Sequence, residues 1–194
     1  MANKEVTWIE TFTGKRVNPI HLDEELIDIV DIAHSLSLQC RFIGHCLVFY
    51  SIAEHSILVA DLVSKGLDWA DGHSPEDNRT CLAALLHDAA EAYVGDIARP
   101  IKHDNAFKYA REIEQQILGK IMLKYNCTGA DWQLIKKADN IMLATEAKYN
   151  MADSGKGWYL PEAALDVVKI AELPDIDDTE FMFLCKFEEY GGKL

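Results

Sequence analysis

Residues 82–100 read LAALLHDAAEAYVGDIARP, and the rest of the chain is best read outward from them. An apolar run, Leu82 to Leu86, delivers two adjacent polar groups, His87 and Asp88. Glu91 follows four residues after His87, so on a continuous helix the two share a face. Asp96 comes just past Gly95, where such a helix would end. Four groups able to bind a metal or move a proton therefore fall within ten residues. Groups of this kind are rarely fully buried unless they are paired or bound. A His-Asp dipeptide alone is commonly a helix end facing water, so a functional reading needs partners elsewhere.

Two partners stand on segments with helical patterning: His55 in SIAEHS and Asp139 in KKADN. Beside Lys136 and Lys137, Asp139 could be an ordinary surface group. It also follows Ala138 on the side marked by Leu134, Ile135, Ile141 and Met142, an apolar stripe. His55, His87, Asp88 and Asp139 together form an imidazole and carboxylate set. Such a set suits Mn, Co, Fe, Zn or Ni, with water in open positions. Glu91, one helical turn from His87, could take a proton from that water or position it.

At this point the chain resembles a known family. An isolated His, a later HD doublet and a late Asp resemble the HD-domain metal-dependent phosphohydrolases. Arg41-Phe42, AEH ending at His55, HDAAEAYVGDIARP and KKAD ending at Asp139 resemble the small 5'-deoxynucleotidases of that superfamily. The opening TWIETFTGKRVNPI, with RFIGHC, is similar to phage-type members that include deoxyadenosine triphosphate triphosphohydrolases.

The resemblance implies an all-α fold, a helical HD-domain bundle, here with a short extended N-terminal arm. It implies His55, His87, Asp88 and Asp139 as ligands of a divalent transition metal, Co, Mn, Zn or Fe, with Mg accompanying a phosphate chain. Glu91 and Asp96 are then the catalytic carboxylates, and Arg41 holds the phosphate. Asp96 contacts the sugar hydroxyl, and Phe42 packs by the sugar where some relatives carry Trp. His45 either touches phosphate or supports its loop, and Lys102 and Arg99 are spare cations or surface charges. The expected reaction is hydrolysis of a deoxynucleoside triphosphate, dATP first, to deoxynucleoside and triphosphate. The alternatives are a 5'-deoxynucleotidase acting on monophosphates and a non-catalytic metal-bound nucleotide-binding module. A further phosphodiesterase reading lacks a second histidine set.

Composition bounds this. The chain has 194 residues, read as a single domain over 1–194 with room for a sizeable core. A net charge of −13 argues against a nucleic-acid duplex or an anionic membrane as partner. It also means that a nucleotide must be met by locally concentrated positive charge. Five cysteines, an odd number without a CxxC pair, fit a reducing cytosol of a bacterial or phage-infected cell. The first ten residues, with Lys4, Glu5 and Glu10, lack the apolar core of a signal peptide. No run approaches a membrane span. A homo-oligomer is expected.

In chain order, Thr7 to Thr13 suggests a short strand or arm anchored in the core by Trp8 and Phe12. Helical spacing covers 23–38, with His34 as a hydrogen-bonded structural group. Ser51 and Glu54 form a capping box for a helix to about Ser64, which carries His55 in its first turn. Residues 67–75 read as a surface loop with His73 exposed. Further helices are expected over 77–93, from 104 or 105 to 125, and over 131–150. Residues 153–161, DSGKGWYLP, form a glycine-rich loop without P-loop order. Residues 175–178 cap a last helix docked by Phe181, Leu184, Cys185 and Phe187.

Overall fold

The computed structural model describes residues 7–66, 75–166 and 175–194. The surface loop expected over 67–75, with His73, falls almost wholly outside them. The fold is all-α apart from a two-stranded arm.

That arm pairs β1 (Ile9–Glu10) antiparallel to β2 (Arg16–Val17), with Ile9 opposite Val17. The Asp31 carboxylate accepts from the Thr13 amide at 2.7 Å and its hydroxyl at 3.0 Å. Lys15 donates to Asp28 at 2.6 Å. The expected anchors are not the ones used. Trp8 and Phe12 are 37% and 60% exposed, whereas Val17 is fully buried. A hairpin this short has one inward face, and Val17 fills it. Trp8 instead lies under the Arg16 guanidinium, and Phe12 stacks on the His34 ring at 3.7 Å. His34 Nδ1 meets Glu180 at 2.8 Å, the structural role expected of it.

Asn18 caps a short 3-10 turn at Pro19–His21 by accepting from the Ile20 and His21 amides. The helix expected over 23–38 is divided. A 3-10 turn takes Glu24–Leu26, and α1 (Ile29–Leu38) starts afresh with Asp28 as its N-cap. Asp28 accepts from the Val30 amide at 2.9 Å, a bond that a continuous helix would not leave open.

The helix α2 (Ile52–Gly66) lies at the centre and packs against α1, α3 (Pro75–Leu85), α7 (Trp132–Asn150) and α8 (Ile176–Glu189). Its Ile52, Ala53, Ile57, Val59, Ala60 and Val63 are buried. Each large one contributes roughly 1.5–3 kcal/mol by leaving water. Ser51 accepts from the Glu54 amide at 3.0 Å, the N-cap half of the expected capping box.

The helix expected over 77–93 breaks. It ends at Leu85, and α4 (Glu91–Val94) follows a tight turn. The Ala89 amide closes on the Leu86 carbonyl at 2.9 Å and the Glu91 amide on the Asp88 carbonyl at 2.9 Å. These three-residue closures tighten the chain where His87 and Asp88 sit. The shared helical face of His87 and Glu91 is therefore replaced by a turn that presents them from two short elements.

Then come α5 (Arg99–Lys102) and α6 (Lys108–Lys124), which buries the expected stripe Ile113, Ile117 and Ile121. Asp131 caps α7 by accepting from the Gln133 and Leu134 amides, both at 3.0 Å. Asp175 caps α8. That helix docks through Thr179, Phe183 and Phe187, with Leu184 packed partly against the core and Tyr190 buried at its C-cap. Phe181 and Cys185 face outward, because the helical period places them off the stripe.

Candidate metal centre and active site

Four side chains from three places converge. His55 comes from the first turn of α2, His87 and Asp88 from the turn after α3, and Asp139 from the second turn of α7. His55 Nε2 is 3.3 Å from His87 Nε2, 3.7 Å from Asp88 Oδ2 and 3.4 Å from Asp139 Oδ1. His87 Nε2 is 3.3 Å from Asp88 Oδ2 and 4.0 Å from Asp139 Oδ1. Ligand bonds of about 2.0–2.2 Å allow two ligands of one ion to lie up to about 4.3 Å apart, so each of these five pairs could share an ion, while the group whose atoms all lie within 4.8 Å of one another is His55, His87 and Asp88, with Asp139 beside it.

The rings are also oriented for it. His87 Nδ1 meets the Ala84 carbonyl at 2.8 Å, and His55 Nδ1 meets Glu146 Oε1 at 2.5 Å. Each Nδ1 is thus occupied, and both Nε2 atoms turn to the same point. Two ring nitrogens facing each other at 3.3 Å, with two carboxylates around them, are what a divalent cation reconciles. The residues present fit such an ion, and His55, His87 and Asp88 alone already form a metal-competent group.

Charge in the cluster is strongly coupled. Burial raises Asp88, but His87, His55 and Arg41 overcome this and hold it well below the carboxylate range. Asp139 is likewise driven down against burial by His55, His87 and Lys136. Both histidines are raised despite burial, His55 chiefly by Glu146 and His87 by Asp88.

Sequence reasoning missed Glu146 and Tyr50. Glu146 is fully buried and accepts from Tyr50 Oη at 2.8 Å as well as meeting His55. Against burial, Arg41 and His55 hold it at about 2. Its signal was spacing: it follows Asp139 by seven residues on α7, two turns along one face.

Arg41 is pinned by a strand-like stem. Its amide donates to the Tyr50 carbonyl at 2.8 Å, and the Ile52 amide to the Gln39 carbonyl at 3.0 Å. The guanidinium reaches Asp88 at 3.4 Å and Glu146 at 3.3 Å, while its Nε is buried without a partner. A buried donor left open beside a metal-competent cluster is a group that an anion could satisfy. Phe42 follows in left-handed backbone, φ 54°, half-buried and 5.4 Å from the Arg41 guanidinium carbon.

Glu91 is buried, with Oε1 3.5 Å from Lys102 and Oε2 unpartnered. Burial, then the charges of Asp88 and Asp96, push it well above its ordinary value. Gly95, φ 79°, ends α4 in a conformation open to glycine and turns the chain towards Asp96. The Asp96 amide donates to Gln39 at 3.3 Å, and its carboxyl is raised, first by burial. Lys102 Nζ also reaches Glu114 at 2.6 Å. His45 and Arg99 are exposed; His45 contributes its amide, to the Phe42 carbonyl at 3.0 Å.

A family model described as an HD domain matches residues 49–126, which include His55, His87 and Asp88. An uncharacterized protein of Escherichia coli K12, YfdR, is 36% identical over 153 residues, covering 79% of this chain and 78% of that protein. An uncharacterized protein of Rhodobacter capsulatus is 31% identical over 147 residues, 73% of this chain and 71% of its own length.

The chain belongs to the HD-domain family.

An HD domain is a metal-dependent phosphohydrolase module, and here the His-Asp doublet stands in the cluster able to hold the divalent ion. No described helix of this HD domain is long and apolar enough to cross a membrane.

Proposed function

We propose that the protein hydrolyses a 2'-deoxynucleotide at its 5' end, with a single phosphate ester as the preferred substrate. The observation that carries this is the buried, partly unpartnered Arg41 guanidinium beside the His55, His87, Asp88 and Asp139 cluster. A bound divalent ion supplies Lewis acidity and a lowered pKa for water. The chain's own residues do the rest. Arg41 binds and orients the phosphate through its open Nε. Glu91 offers Oε2 to the attacking water, positions it and accepts its proton; a carboxyl raised above its ordinary value is the stronger base for that exchange. Asp96 contacts the sugar hydroxyl, and Phe42 packs by the sugar, as the resemblance implies.

The preference for one phosphate rests on the cations. Of the two candidates for a longer phosphate chain, Lys102 is shared between Glu91 and Glu114, and Arg99 is exposed. Arg41 is shared between Asp88 and Glu146. Near an acidic cluster, neither Lys102 nor Arg41 is left over for a second and third phosphate. The second reading, deoxyadenosine triphosphate cut to deoxynucleoside and triphosphate, is favoured by the phage-like opening and RFIGHC. A metal-bound module without catalysis needs no buried, unpartnered carboxylate oxygen such as that of Glu91.

The test is product analysis with a panel of deoxynucleoside mono- and triphosphates in Mn, Co, Zn or Fe. Inorganic phosphate from monophosphates supports the proposal. Triphosphate released from dATP, with monophosphates untouched, replaces it with the second reading.

A further inference from the structure

The glycine-rich loop after α7 has no role in the account above, yet its geometry is specific. The Ser154, Lys156 and Trp158 amides close successive turns on Met151, Asp153 and Gly155 at 3.0, 2.9 and 3.1 Å. Gly155 has φ +66°, and a Cβ there would meet the Ala147 Cβ at 2.6 Å. The loop thus folds onto the end of α7 more closely than any side chain would permit. The Asn150 carbonyl accepts from the Leu47 amide at 2.8 Å, which joins this loop to the one carrying Arg41 and Phe42. The result delivers Trp158 to Phe42, with ring centroids 5.8 Å apart and planes at 49°. Trp158 remains 41% exposed, and Phe42 is held by left-handed backbone, unusual for a bulky residue.

From the metal cluster outward, the order is Asp88, Arg41, Phe42, Trp158, each against the next. A nucleotide has the same order: phosphate, sugar, base. Two aromatic planes tilted apart leave one face of each for a flat ring. We infer that Trp158 is the platform on which the base of the substrate stacks, with Phe42 beside the sugar between it and Arg41, and that Trp158 is the base-binding and selectivity-setting residue. This rests on the nucleotide reading above. Stacking on a π-face accepts every base, so the platform favours nucleotides over simple sugar phosphates without strong choice among bases.

The experiment compares Trp158→Ala and Trp158→Phe with wild type on deoxynucleoside monophosphates and on 2-deoxyribose 5-phosphate, which has no base. Trp158→Ala should raise the nucleotide KM about tenfold or more and leave kcat within about twofold. Trp158→Phe should recover most of the loss, and KM for the sugar phosphate should not move. Equal changes on both substrates, or none on either, overturn the inference while leaving the phosphohydrolase reading intact. So does a Trp158→Ala protein with unchanged KM that loses self-association by sedimentation, which assigns the surface to contact between copies. If wild type hydrolyses neither substrate, the reaction reading fails. Binding of etheno-deoxyadenosine monophosphate, followed by anisotropy, then decides the platform. Weaker binding by Trp158→Ala supports it, and equal binding or none by wild type sinks it.

Discussion

Glu146 sets how His55 presents its ring. By taking Nδ1, it leaves Nε2 for a metal, and Tyr50 and Arg41 fix it in turn. Removing such an outer partner costs roughly 10–100-fold in metal affinity. Glu146→Gln should therefore bind Mn weakly while its far-ultraviolet circular dichroism stays that of wild type; unchanged affinity removes its role. Glu91 differs, because it stands outside the four ligands. Glu91→Ala should keep the metal and lose about 10²–10⁴-fold in turnover, measured on metal-saturated protein. At this scale the sequence was generous with ligand candidates and silent about their supports. His55, His87, Asp88 and Asp139 stood out because their types and order match a metal chemistry. Glu146 did not, because a glutamate on a helix is usually solvated, and its seven-residue spacing from Asp139 gains meaning only once Asp139 is a ligand. Gln39 was also hidden, since its bonds to the Glu91 carbonyl and the Asp96 amide join segments far apart in sequence.

Among the elements, the caps read well and the breaks did not. Ser51 and the acidic stretch beginning at Asp175 announce their helices by residue type. The break after Leu85 was not readable, because Leu82, Leu85, Leu86 and Ala89 keep an apolar period through it. Periodicity records which side is buried, whether the turns close over four residues or three. The start of α1 yields a pH prediction. Burial raises the Asp28 carboxyl, but Lys15 and the Val30 amide outweigh it and bring it below 3.8. A carboxyl lowered on folding stabilises the fold above its unfolded value, and that contribution is lost as pH falls through the folded one. Asp28→Asn keeps a capping side chain but cannot titrate. Its stability at pH 7 should change by less than about 1 kcal/mol, with a shallower loss as pH falls below about 4. Asp28→Ala should cost about 1 kcal/mol more. Urea titrations across that range check both; identical acid slopes in wild type and Asp28→Asn contradict the ion pair.

For the whole molecule, the all-α bundle was legible because each long helix carries an apolar stripe matched by burial, as with Ile113, Ile117 and Ile121. The arm was read correctly as extended but wrongly as core-anchored, since alternation over so few residues does not tell which side faces in. The cysteines provide a global check of packing. Burial pushes Cys81 and Cys127 to about 12. At pH 8, iodoacetamide should label exposed Cys185 and leave both untouched until denaturant is added, as read by peptide mass spectrometry. A divalent ion at about 100 times its Kd should add roughly 2.7 kcal/mol to stability, a Tm rise of roughly 5–11 °C that a chelator reverses. The central claim is that His55, His87, Asp88 and Asp139 hold one divalent ion, and equilibrium dialysis against Mn tests it most directly. Wild type should take up one ion per chain and Asp88→Ala none at the same free Mn; a wild type that binds no ion, or an Asp88→Ala protein that binds as wild type does, contradicts it.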